Sequence, residues 1–297
     1  MAGELYAVAG GKGGVGKTTT AACCALLAHE AGHEVVVVDA DLDMPNLAAL
    51  CGVSVAGPTL HDVLADEAAL ADAIVSGPTG LALVPGDRRL TKYADVDPAG
   101  LGAVLSELAA DYEYVFVDTG AGITHEGAIP LTVASGVLLV TTPVPVAVDD
   151  AARTAALTER LGGTVSGVVV TRAGDHGLST EEINARIGYD VLTTVPTDPA
   201  IEAALAEERP LSSADGPAMT AYRDLVARLV GDDSAPEADA STEAAPTTPS
   251  EETAPEPQAR STDEPDPLDE EAAPTASTEP SKTESRGLLS RLAGLFG

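Results

Sequence analysis

Residues 5–31 form a strand, a glycine-rich loop and a helix, and this unit constrains the fold more than any other part of the chain. Leu5-Tyr6-Ala7-Val8-Ala9 reads as a buried strand and residues 19–31 read as a helix. Between them, Gly11, Gly16, Lys17 and Thr18 fill the pattern G-x-x-x-x-G-K-[ST]. Glycines at this spacing let successive backbone N–H groups turn inward around an anion, and the following helix adds the positive end of its dipole. A lysine and a hydroxyl at these places suit a phosphate chain and its divalent cation. A strand that feeds a helix in this way belongs to a parallel α/β sheet.

The pattern then repeats. Residues 34–39 are a short β-branched run of the kind buried on both faces, followed by the loop Asp39-Ala40-Asp41-Leu42-Asp43-Met44-Pro45-Asn46-Leu47. Residues 59–64 and 67–75 read as short helices, 81–86 as a strand ending in a turn, and 98–110 as an amphipathic helix. Tyr114-Val115-Phe116-Val117-Asp118 is an apolar strand ending in an acid. Strands over 136–141, 165–171 and 191–195 alternate with helices over 147–161, 180–187 and 217–230. The predicted fold is α/β, a doubly wound, mostly parallel sheet.

Composition separates the last quarter from the rest. The formal net charge is −31, from 47 acidic and 16 basic residues, and the lysines are only Lys12, Lys17, Lys92 and Lys282. Acidic excess with scarce lysine is what a protein of high-salt cytoplasm needs to stay hydrated; an ordinary acidic protein with an acidic tail is the alternative. Cys23, Cys24 and Cys51 do not make a disulfide framework, and the neighbouring pair is expected to pack rather than react. The N-terminus starts on a strand without a leader pattern, and no apolar run reaches roughly 18 residues, so a cytoplasmic location is expected.

The early lysine, Lys12, in Lys12-Gly13-Gly14-Val15-Gly16-Lys17-Thr18 resembles the deviant Walker A motif of the MinD/ParA ATPases, and the chain is most similar to their MinD branch, in an archaeal, salt-adapted form. The resemblance implies a P-loop NTPase that binds ATP and Mg²⁺ and forms a homodimer in which Lys12 reaches the partner's nucleotide. It implies nucleotide contacts from Gly11, Lys12, Gly13, Gly14, Val15, Gly16, Lys17, Thr18 and Thr19, with Thr18 and, through a water, Asp118 holding the metal. Gly122, in the second switch, would bring a backbone N–H to the γ-phosphate, although Gly120 stands where the relatives often carry proline. Asp41 would position the attacking water beside Lys12 and Lys17, and Asn46 would lie near the dimer interface; a helix N-cap or an Asx-turn is the structural alternative for the acids. On the adenine side, Val195-Pro196-Thr197-Asp198 is similar to the family's loop, which implies that Pro196 packs on the base and backbone groups of the loop read its edge, with Pro196, Asp198 and Arg172 as the residues assigned there. Thr171-Arg172 replaces the common Asn-Arg pair, and Pro196 also suits a plain strand terminator.

We read three parts: a P-loop ATPase domain over 1–231, a disordered acidic linker over 232–285, and an amphipathic C-terminal helix over 286–297. From Gly231 to Ser285 there are 16 acids against Arg260 and Lys282, and almost no large apolar residue to offset the ordering entropy. Such a chain of about 55 residues spans roughly 40 Å. Leu288, Leu289, Leu292, Leu295 and Phe296 then fall on one helical face. That face suits a bilayer interface, or a groove in a protein, and it resembles the C-terminal membrane-targeting sequence of MinD.

The leading function is therefore a MinD-like ATPase whose ATP-dependent dimer controls reversible membrane attachment, positioning cell-division or polar complexes with a protein cargo or activator. A ParA-type DNA-partitioning ATPase is the second reading. The 31 acids against 12 basic residues up to Gly231 give no basic stripe for phosphates, so DNA is not an expected partner. An iron–sulfur carrier would need a late CxxC, and no cysteine follows Cys51. A nucleotide-gated scaffold with little hydrolysis is the non-enzymatic reading.

Overall fold

The computed structural model describes residues 2–231 apart from 90–95, 123–124, 175 and 208. The linker over 232–285 and the terminal helix over 286–297, with Leu288, Leu289, Leu292, Leu295 and Phe296, lie outside the described residues. One eight-stranded sheet runs through the domain in the order β3-β4-β2-β5-β1-β6-β7-β8. Its strands are β1 (Glu4–Ala9), β2 (Val35–Ala40), β3 (Val75–Ser76), β4 (Ala82–Val84), β5 (Tyr114–Thr119), β6 (Gly136–Thr141), β7 (Val165–Ala173) and β8 (Val191–Pro196). All pairings are parallel except β3 with β4.

The strands read as continuous apolar runs because both faces are covered. In β2, Val35 and Val37 pack into one hydrophobic cluster while Val36 and Val38 pack into another on the opposite face. The helices are α1 (Lys17–Glu30), α2 (Leu47–Leu50), α3 (Leu60–Leu64), α4 (Leu70–Ala73), α5 (Leu101–Asp111), α6 (His125–Val133), α7 (Pro145–Arg160), α8 (Thr180–Ile187), α9 (Pro199–Ala206) and α10 (Pro217–Val230). Helix α1 is buried almost throughout, and its Ala21, Ala22, Cys23, Cys24 and Ala25 are small enough to lie close on the sheet. Cys23 and Cys24 are packing residues, and burial pushes the Cys24 thiol up to about 12, where it is protonated and inert. The Tyr222 hydroxyl of α10 meets the Thr20 hydroxyl of α1 at 3.1 Å in the interior.

Three expectations change in detail. Residues 67–75 do not form one helix: α4 covers Leu70–Ala73 and Val75 enters β3, because the β-branched Ile74-Val75 pair completes a sheet edge. Residues 98–110 begin as a 3₁₀ turn over Pro98–Gly100, capped by the Asp97 carboxylate on the Ala99 N–H, before α5 starts at Leu101. Helices α2, α6 and α9 are additions; α6 carries Pro130 inside it and has almost no amphipathic signature.

β1 lies between β5 and β6, where the direction of the connections reverses. The loop after β1 therefore opens at the carboxyl edge of the sheet, the place where open α/β sheets bind ligands.

Candidate nucleotide site

The loop after β1 is held from three sides. Gly16, at φ 99°, is the N-cap of α1 and turns the chain through a left-handed conformation that suits glycine. Gly11 sits so close to α7 that a Cβ would fall 2.5 Å from the Asp150 carbonyl oxygen. The buried Thr171 hydroxyl, at the end of β7, donates to the Val15 carbonyl at 2.6 Å and lies 3.2 Å from the Thr141 carbonyl. Thr171 is thus a brace for the phosphate loop, a role the sequence did not suggest.

Gly13, Gly14, Gly16, Lys17, Thr18 and Thr19 line one wall of an open cleft of about 840 Å³. Asp41, Asp43, Met44, Pro45, Asn46 and Arg88 line the facing wall, with Ala121, Arg172 and Leu205 completing it. Arg172 adopts φ 51°, a conformation uncommon for a residue with a side chain. Val15 is buried beneath the loop, and Lys12 is exposed and does not line its own chain's cleft. Gly122 follows β5 at φ 91° with open space around it.

Lys17 and Asp41 of the cleft belong to a cluster of ionisable groups with the buried Asp39 and Asp118. Asp39 and Asp118 are the penultimate residues of β2 and β5, and the two are register partners on adjacent strands. Both are 1% exposed, and neither Asp39 Oδ1 nor Asp118 Oδ1 has a hydrogen-bond partner among the described residues. Asp39 Oδ2 accepts the Leu47 N–H at 2.9 Å, at the start of α2. Burial raises the Asp39 carboxyl to about 7 against its backbone hydrogen bond from Leu47, with the charge of Asp41 adding to the rise. Burial, then the Asp39 charge, pushes Asp118 well up, while the Thr18 hydroxyl and Lys17 pull it down. Lys17 is 7% exposed; burial lowers its pKa, and Asp118 and then Asp41 oppose that. Asp41 Oδ1 accepts the Met44 N–H at 3.1 Å, three residues on, so its carboxylate caps its own loop in the manner of an N-cap while the residue also lines the cleft.

Two buried carboxylates with orphan oxygens cost free energy in a protein alone. The same arrangement fits a divalent cation, which takes hard oxygen donors and keeps several of its waters. Thr18 and Asp118 would hold Mg²⁺, with Asp39 beside them. Asp39 had no assigned role in the sequence; an acid near the end of a β-branched strand buried on both faces is the signal that marks it.

Asp198 and Pro196 lie apart from the cleft. Asp198 is buried, and its two oxygens accept the Ala200 N–H at 2.8 Å and the Ala218 N–H at 2.9 Å, tying the starts of α9 and α10 together. With both oxygens engaged, this carboxylate is a double helix cap, and any contact to a base would fall to the backbone of the loop. Pro196 ends β8 opposite Ala173 and does not line the cleft, whereas Arg172 and Leu205 do.

Comparison with known proteins agrees with this geometry. The family model for the CobQ/CobB/MinD/ParA nucleotide binding domain matches residues 6–211. An uncharacterized ATP-binding protein of Methanocaldococcus jannaschii is 36% identical over 231 residues, covering 76% of this chain and 88% of its own length. The septum site-determining protein MinD of Thermotoga maritima is 29% identical over 205 residues, covering 65% of this chain and 75% of its own. The structure of the septum site-determining protein MinD of Pyrococcus horikoshii complexed with Mg-ADP superimposes with a TM-score of 0.73 at 27% identity, over 77% of this chain and 96% of that one. With its phosphate loop, early lysine and acidic cluster in place, the chain belongs to the MinD/ParA family of nucleotide-binding domains.

Proposed function

We propose that this protein is a MinD-like ATPase whose nucleotide state controls dimerisation, reversible attachment to a membrane surface, and through these the position of a protein complex in the cell. The observation that carries the ATPase reading is the glycine-rich loop with Lys17 and Thr18 lining one cleft together with Asp41, while the buried Asp118 acts on the Lys17 charge. The relatives named as septum site-determining proteins support the positioning role.

In this reading the loop backbone and Lys17 bind the phosphates of ATP, and Arg172 and Leu205 flank the base. Asp41 orients a water for in-line attack on the γ-phosphorus; the P–O bond to ADP breaks and inorganic phosphate leaves. Lys17, and Lys12 of a second copy, stabilise the charge that develops on the transferring phosphoryl oxygens. Bound Mg²⁺ would neutralise charge on the β- and γ-phosphate oxygens.

A dimer across this edge is supported by its exposed apolar residues. Met44 is 75% exposed on the Asp41 loop, and Val144 and Val146 are 50% and 59% exposed at the start of α7, beside the phosphate loop. Among the described residues no helix is long and apolar enough to cross a membrane. Attachment would fall to residues 286–297, and two such segments on one dimer would bind with avidity that a monomer lacks.

The test is phosphate release by the full chain. We expect slow Mg²⁺-dependent turnover of ATP, loss of nucleotide binding in Lys17→Ala, and retained binding with loss of turnover or of ATP-dependent dimerisation in Lys12→Ala. Normal turnover and dimerisation in Lys12→Ala would refute the cross-dimer role.

A further inference from the structure

The Asp41 loop is not held only by its own turn. His61, in the second position of the five-residue helix α3, is fully buried and lies between two loops of the cleft wall. Its Nε2 is 2.9 Å from the Leu42 carbonyl oxygen, one residue beyond Asp41. Its Nδ1 is 3.1 Å from the Asp87 backbone nitrogen, next to the cleft residue Arg88. A carbonyl only accepts and an amide N–H only donates. The two partners therefore fix one neutral tautomer: Nε2–H donates to Leu42 and the Nδ1 lone pair accepts from Asp87.

The surroundings favour one rigid unit. Leu60 N–H donates to the Pro85 carbonyl at 2.8 Å, which ties the start of α3 to the end of β4. The Thr59–Asp62 capping box fixes the N-terminus of α3. Leu42 and Leu60 are buried in the same hydrophobic cluster. Gly86 lies against Pro45 so tightly that a Cβ would be 2.4 Å from the proline Cβ. The Asp87 carboxylate is occupied by Arg89, which leaves the imidazole as the group that bridges the Leu42 and Asp87 backbones.

We propose that His61 is a positioning residue for hydrolysis: through the Leu42 carbonyl it sets the place of Asp41 relative to Lys17. This rests on the ATPase reading. His61 is fully buried and does not line the cleft, so its effect would reach the reaction only through the loop.

Three substitutions separate the tethers. His61→Gln keeps an amide donor where Nε2 lies and can retain the Leu42 bond. His61→Asn keeps an acceptor where Nδ1 lies and can retain only the Asp87 bond. His61→Ala removes both. In the full chain we expect His61→Ala and His61→Asn to lower kcat by about 10–100-fold, the scale of a misplaced reacting group, with Mg-ADP affinity nearly unchanged and His61→Gln restoring most of the rate. Hydrogen exchange of the Met44 amide, which reports the Asp41 turn, should rise in His61→Asn and not in His61→Gln. Equal losses in Gln and Asn that track thermal stability would overturn the proposal, as would an unchanged kcat in His61→Ala. If the wild-type chain releases no phosphate, the ATPase reading fails on its own, and the ¹⁵N spectrum of the imidazole still decides the tether. A neutral Nε2–H form supports it, and an Nδ1–H form or a mixture overturns it.

Discussion

Asp39 and Asp118 are expensive residues for the nucleotide-free protein. The Asp39 carboxyl is raised from 3.8 to about 7 and Asp118 is raised as well, chiefly by burial. The folded chain thus holds protons that the unfolded chain gives up as pH rises above about 4. The stability that this protonation supplies is fully present below the unfolded pKa and is lost as pH rises through about 7. Asp39→Asn removes one of the two charges. At pH 8 without nucleotide it should raise the melting temperature, by roughly 2–4 °C for each kcal/mol recovered in a domain of this size, and it should weaken Mg-nucleotide binding. Thermal melts from pH 5 to 8 check it; a wild-type minus variant difference that does not change with pH contradicts the buried-pair explanation. Thr171→Val tests the loop brace in a different way. It leaves the Val15 carbonyl without its buried donor, at a cost of about 1–3 kcal/mol. We expect lower stability and weaker nucleotide binding together, read by denaturant unfolding and by titration with ATP.

At the scale of elements, Asp198 shows where local pattern and tertiary role part. Asp198→Ala unties the starts of α9 and α10 and should cost about 1–2 kcal/mol for each cap lost. ATP over GTP selectivity should stay as it was; a change in base selectivity with unchanged stability would return the residue to the nucleotide site. The sequence made the sheet legible because its strands are short β-branched or apolar runs that only a doubly covered sheet can bury, as β2 and β6 are. The phosphate loop was legible because its glycines and Lys-Thr have fixed spacing. The parts that were not legible depend on contacts distant in sequence. Thr171 meets Val15 across 156 residues, and Asp39 meets Asp118 across adjacent strands. Helix α6 was hidden by Pro130 and by its lack of an apolar stripe. Lys12 is exposed in the single chain, and its proposed target lies in a second copy.

The whole molecule couples a compact nucleotide domain to a long acidic extension with an apolar end. Helix α10 ends near the base of the sheet, where the Tyr6 hydroxyl lies 3.2 Å from the Leu229 carbonyl and the Tyr114 hydroxyl 3.4 Å from the Val230 carbonyl. Helix α10 thus ends at the edge opposite the cleft, and we expect a chain truncated after Gly231 to keep its melting temperature and its affinity for Mg-ATP. In strong salt, Arg286 and Arg291 would add little attraction to lipid headgroups, which leaves the apolar face to carry attachment. The central claim is that nucleotide state controls this attachment. Its most direct measurement is co-sedimentation of the full chain with lipid vesicles in Mg-ATP and in Mg-ADP, beside Lys12→Ala and a chain lacking 286–297. The account predicts that only the full chain in Mg-ATP pellets with the vesicles. Equal sedimentation in both nucleotides, or sedimentation that survives removal of 286–297, would contradict it.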